Sequence, residues 1–114
     1  MKPDKVEDHL NEKLKDPYFK ELYELEDQKL QIVKRIVAYR VKNELSQKQL
    51  ADKAGVSQQH ISNIENGVFS DLATVSKVLL LIGQKVQIRT VPIATKQRKI
   101  LAKALKITGR SANS

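Results

Sequence analysis

The stretch that most constrains this chain is residues 45–67, LSQKQLADKAGVSQQHISNIENG, which reads as two short helices joined by a tight turn. Ser46 is a good N-cap, and Gln49 three residues later completes a capping box. Leu50, Ala51 and Ala54 follow at spacings of one, three and four, the stripe of a helix with one inward face. Gly55 stands where that helix must end, because glycine takes the left-handed conformation that closes a helix. After Val56, Ser57 offers a second N-cap. Ile61 and Ile64 then form the inward face of the second helix, and Gln58, Gln59, His60, Ser62 and Asn63 its outward face. That outward face is polar, rich in amides and free of acids. Gln and Asn side chains can bond an adenine edge in bidentate fashion, so a duplex groove is a natural partner for it.

Charge supports a polyanion partner only in part. Residues 1–28 hold nine acids and five lysines, a net of −4, while residues 29–114 hold sixteen Lys and Arg against four acids, a net of +12. An acidic head on a basic body fits a body that meets nucleic acid, but equally a soluble basic protein with charged faces. Other classes are easier to set aside. With no cysteine there is no disulfide framework or thiol chemistry, and His9 and His60 are too far apart in sequence to suggest a metal site. No metal or cofactor is expected. No apolar run reaches the length of a membrane span, and the N-terminus lacks the apolar core of a secretory signal. A cytoplasmic protein without a membrane partner is therefore expected. No nucleophile elbow and no phosphate-cradling glycine loop is present, so an enzyme is not expected.

Around the central stretch, the chain divides into residues 1–28, 29–91 and 92–114. Val6, Leu10 and Leu14 allow a short amphipathic helix, too weak to stand alone in water. Asp16 and Pro17 mark a strong helix start. Two apolar clusters follow, Tyr18 to Leu25 and Leu30 to Val41, separated by Glu24, Glu26 and Asp27. They predict helices at about 17–25 and 28–42, with one continuous helix as the alternative. The aromatic face in this region serves either a partner protein or the chain's own dimer.

Beyond the central stretch, Ser70 is expected to cap a helix whose Leu72, Val75, Val78, Leu79 and Ile82 face inward and which Gly83 ends. In residues 84–91, QKVQIRTV, Val86 and Ile88 alternate with polar residues, the period of a half-buried strand, and Pro92 stops it. A lone strand must find a partner, and the same strand of a second copy is the simplest one. A homodimer built on Val86 and Ile88 is therefore predicted. Residues 93–114 are basic and acid-free, and apolar residues there could form one face of a helix. This tail is either a non-specific phosphate-binding element or a solubilising helix or disordered end, with the final TGRSANS expected to be disordered.

The span from about Ile32 to Gly83 closely resembles the Xre, or lambdoid-phage repressor, family of helix-turn-helix proteins. The resemblance implies a mainly α fold: a five-helix lambda-repressor-like domain, here with an N-terminal helical extension and one C-terminal strand that pairs across a dimer. It also implies roles by position. Gln58, Gln59, His60 and Asn63 would face bases, with His60 at a position that varies in the family. Gln47, Lys48, Ser57, Ser62 and Asn66 would meet phosphates. Arg40 and Glu65 match an internal ion pair, and a solvated pair there would be worth only about 0–1 kcal/mol. The acidic DPYFKELYELE extension and the terminal RTVP further resemble HigA-type antitoxins of type II toxin–antitoxin modules. That second resemblance implies two partners, a palindromic double-stranded DNA operator and a small basic RelE/HigB-like toxin that cleaves mRNA. Tyr18, Phe19, Leu22 and Tyr23 would be the toxin-binding residues. A free-standing repressor of phage or mobile-element origin, without a toxin, is the alternative.

Overall fold

The computed structural model describes residues 5–107, with side chains from 8 to 106. Six helices run in order: α1 (Lys5–Lys13), α2 (Pro17–Lys42), α3 (Gln47–Ala54), α4 (Gln58–Glu65), α5 (Leu72–Leu81) and α6 (Thr95–Ile107). The chain forms two compact units. One is Asp27–Arg89, and the other gathers the two ends, Met1–Glu26 and Thr90–Ser114.

The first unit holds the central stretch. Its core is Ile36 from α2, Leu50 and Ala51 from α3, Ile61 and Ile64 from α4, and Val75, Val78 and Leu79 from α5. Ile36, Leu50, Ile61 and Val78 are completely inaccessible. Fully burying such a side chain stabilises the fold by about 1.5–3 kcal/mol, so these few residues dominate a small core. Ile32, Tyr39, Leu45, Phe69 and Val86 pack around it.

Helix ends in this unit follow local chemistry. Ser46 accepts from the Gln49 N–H at 3.0 Å, and the Gln49 side chain accepts from the Ser46 N–H at 2.8 Å, so two end donors are satisfied reciprocally. Gly55 takes φ 70°, and the Val56 N–H donates to the Ala51 carbonyl at 3.0 Å, which closes α3. Ser57 caps α4 by accepting from the His60 N–H at 3.1 Å.

Several expectations need correction. In place of the helices expected at 17–25 and 28–42 stands the alternative, one continuous helix, α2, and the expected five-helix domain accordingly holds four: the second part of α2, then α3, α4 and α5. Glu24, Glu26 and Asp27 interrupt the apolar stripe but not the backbone, since no proline or glycine stands among them and glutamate is a good helix former. The cap of α5 is Asp71 rather than Ser70, and Leu72, expected to face inward, is 50% exposed. Asp71 accepts from the Ala73 N–H and from the Thr74 hydroxyl, each at 2.9 Å, and so turns Thr74 rather than Leu72 inward.

The strand expected at 84–91 is absent: residues 84–94 have no regular structure, and no strand occurs among the described residues. A strand exists only through bonds to a neighbour, and the described residues supply no second edge. Val86, expected at a dimer interface, is half-buried against the core of its own chain, while Ile88 is 70% exposed.

In the other unit, Leu10 and Leu14 are half-buried, so the α1 segment is partly covered. Asp16 caps α2 by accepting from the N–H groups of Tyr18 at 2.9 Å and Phe19 at 3.3 Å. The basic tail forms α6, with Leu101, Ala104 and Leu105 half-buried. TGRSANS lies outside the described residues.

Candidate nucleic-acid interface

The site is built on α4, whose Ile61 and Ile64 are anchored in the core. Helical geometry then turns the intervening residues outward. Gln58, Gln59 and His60 are exposed, and Ser62 and Asn63 are half-buried on the flanks. Gln59 Nε2 donates to Asn63 Oδ1 at 2.9 Å, one helical turn on. The bond holds two amides side by side, while the second Nε2 hydrogen and the Gln59 oxygen remain usable. His60 is turned back on the cap, with Nδ1 3.0 Å from Ser57 Oγ. Its ring is therefore held against Ser57 at the start of α4. Ser57 serves as the cap, and its hydroxyl meets both the backbone N–H and the ring of His60.

Behind the exposed face stands a polar brace. Arg40 donates to Glu65 through Nε at 2.7 Å and through Nη2 at 3.1 Å, a bidentate pair. Its Nη1 donates to the Leu45 carbonyl at 3.1 Å, which ties down the α2–α3 turn. Gln47 Nε2 donates to Glu65 at 3.0 Å. The Glu65 side chain is 9% exposed and that of Arg40 21%, so this is not a solvated surface pair. The hydrogen bonds that Arg40 donates to Glu65 push its pKa above the ordinary value, against the opposing effect of burial. The resemblance gave Gln47 a phosphate; its amide donates to Glu65 and has one Nε2 hydrogen left over. The Gln47 contact went unread because its partner lies 18 positions away, and the Leu45 contact because it is made to a backbone carbonyl, which no residue type marks.

The remaining candidates for phosphate contact are exposed. Lys48 sits 3.7 Å from Asp52, one turn along α3, with both side chains about 70% exposed. Such a pair is worth about 0–1 kcal/mol, so Lys48 can leave it for a phosphate at little cost. Asn66 is the exposed C-cap of α4. Nearby, Lys29 Nζ lies 5.4 Å from the centre of the Phe69 ring, linking α2 to the loop after α4.

Two helices packed through a glycine turn, the second exposing amides and the first capped beside it, match a known arrangement. Residues 36–83 match the family model described as helix-turn-helix. This segment is thus similar to helix-turn-helix domains. It spans under half of the chain, and it supports the lambdoid-repressor resemblance read from the sequence. No curated protein and no solved structure matches the chain. In helix-turn-helix regulators the second helix lies in the major groove of DNA, and here that helix is α4.

The residues expected to bind a toxin lie at the start of α2. Tyr18 and Phe19 are half-buried, Leu22 is 36% exposed and Tyr23 42%. The Lys13 ammonium lies 5.6 Å from the Phe19 ring centre, so Phe19 has a contact within its own unit. A groove of about 290 Å³ is lined by Leu14, Pro17, Lys20, Gln97, Ile100 and Leu101, among others, and by none of the four predicted residues. Among the described residues no cluster could hold a metal ion, and no helix is long and apolar enough to cross a membrane.

Proposed function

We propose that this protein is a dimeric transcriptional regulator that reads a palindromic operator through α4, and that it is the antitoxin of a type II toxin–antitoxin module. The observation that carries the DNA half is the exposed amide face of a braced helix: Gln58 and Gln59 outward, Ile61 and Ile64 in the core, Glu65 tied to two other helices. Gln58 and Gln59 read bases, each good bidentate contact discriminating by about 1–3 kcal/mol. His60 and Asn63 flank them. Lys48, Asn66, Ser62 and the free hydrogen of Gln47 fix the register on phosphates. Two copies would set their α4 helices about 34 Å apart, one turn of DNA. Exposed Ile88, Val91 and Ile93 favour a dimer, since such apolar side chains gain from being covered.

Toxin neutralisation is assigned to residues 1–28. Their net charge of −4 suits a basic partner, and exposed Leu22 and Tyr23 supply apolar anchors beside half-buried Tyr18 and Phe19. The second reading, a free-standing repressor, keeps the DNA half and assigns the N-terminal region to dimerisation.

The test selects binding sites from a random duplex pool with the full chain, then compares Gln59→Ala. Loss of sequence preference with non-specific affinity retained supports α4 as the reader, whereas an unchanged preference rejects it. Capture from the native host of a small basic ribonuclease, lost on deletion of residues 1–27, supports the antitoxin. Capture that survives the deletion rejects this division of labour, and the lack of any such partner favours the repressor.

A further inference from the structure

The helix-turn-helix reading leaves α6 without a role. Its sequence, TKQRKILAKALKI, carries five basic residues and no acid. At 3.6 residues per turn, Lys96, Lys99, Lys103 and Lys106 fall within about 80° of arc, on one stripe. All four are exposed, while Leu101, Ala104 and Leu105 on the far side are half-buried. Neighbouring lysines on this stripe are three or four residues apart, a spacing at which like charges repel and weaken a helix. Among the described residues no carboxylate pairs with any of the four. Such a stripe gains most from a line of negative charges outside the chain.

We propose that the Lys96–Lys99–Lys103–Lys106 face of α6 is a second, sequence-independent DNA contact that binds backbone phosphates while α4 reads bases. The inference rests on the DNA-binding reading above. The chain itself favours DNA over another polyanion. The stripe is tethered to a helix-turn-helix domain, so DNA held by α4 is presented to it at high effective concentration. A lipid surface is a poorer fit. Helices that lie on membranes insert a free apolar face, and the Leu101–Leu105 side of α6 is already half-covered by the chain.

The test measures binding of the full chain to a mixed-sequence duplex as a function of NaCl concentration. Three variants are compared with the wild type: all four lysines changed to Gln, all four changed to Arg, and Gln58→Ala/Gln59→Ala. Each phosphate contact contributes about 0.9 to the logarithmic salt slope, so the Gln variant, with four contacts removed, should lose about 3.6 from it. Its affinity would then fall roughly 150-fold less than that of wild type between about 50 and 200 mM salt. The Arg variant should keep the wild-type slope, and the α4 variant should lose selectivity while keeping the slope.

An unchanged slope in the Gln variant, with the wild type still bound, overturns the α6 contact and leaves the reading of α4 intact. Failure of the wild type to bind any duplex removes both. Loss of binding to vesicles of anionic phospholipid, with the DNA slope unchanged, would assign the stripe to lipid and overturn the proposal.

Discussion

Replacing Glu65 with glutamine probes the brace most directly. The Glu65 carboxylate accepts three hydrogen bonds, two from Arg40 at 2.7 and 3.1 Å and one from Gln47 at 3.0 Å. Glutamine keeps the shape and one acceptor oxygen but aims an NH₂ group at donors and removes the charge opposite the guanidinium. Hydrogen bonds to charged groups each contribute about 1.5–3 kcal/mol net. Breaking a fully buried pair costs about 3–5 kcal/mol. Here the cost is smaller, because Arg40 is 21% exposed to water and keeps its bond to the Leu45 carbonyl. Glu65→Gln should therefore cost about 2–3 kcal/mol, which lowers Tm by roughly 10 °C in a domain of this size. Urea denaturation of Arg40→Met, Glu65→Gln and the double variant closes a double-mutant cycle. A coupling energy of about 1.5–2.5 kcal/mol is expected from the charge-assisted pair. A coupling below about 0.5 kcal/mol, the value of an exposed ion pair, would refute the argument that this contact holds α4 in place.

Other changes test neighbouring parts. Gly55→Ala should cost about 1–2 kcal/mol in urea denaturation through backbone strain alone, because φ is +70° and nothing lies within 4 Å of an added Cβ. Ile61→Ala, at a fully buried position, should cost about 2–5 kcal/mol in the same measurement. The bonds from Thr74 and the Ala73 N–H hold the Asp71 carboxyl below its ordinary value of 3.8. Its contribution is fully present above the unfolded value and is lost as pH falls through the lower folded one. The stability difference between wild type and Asp71→Asn should thus be constant at neutral pH and change only below about 3.8 in acid titrations of unfolding. Lys48→Ala should leave stability nearly unchanged, since its pair with Asp52 is exposed, yet weaken binding to all duplexes alike in anisotropy titrations.

What could be read from the chain was what neighbouring residues decide among themselves. The capping box of Ser46 and Gln49, the closing turn at Gly55 and the inward pairs Leu50–Ala51 and Ile61–Ile64 all lie within one or two turns of each other. Their geometry follows from spacing alone. The reading failed where the deciding partner was distant or absent. Val86 and Ile88 alternate like strand residues, but alternation reports only which side chains part company. It does not supply a neighbouring strand, and in the structure Val86 turns to the core while Ile88 faces water. Glu24 to Asp27 broke the apolar stripe, and a break in the stripe is not a break in the backbone.

The same distinction separates the two halves of the candidate site. The amides of α4 were visible because a helix with two buried isoleucines must expose what lies between them. What fixes the direction of that helix was visible only in part, since the pairing of Arg40 with Glu65 was expected but its joining to Gln47 and Leu45 was not. Arg40 on α2, Gln47 on α3 and Glu65 on α4 meet at one carboxylate, so three helices share a single anchoring point. Gln47 therefore anchors α4, in addition to the phosphate role proposed for it. Any change there alters the seat of α4 as well as the DNA surface, and its effect on affinity should exceed that of Lys48, whose side chain braces nothing but its own helix.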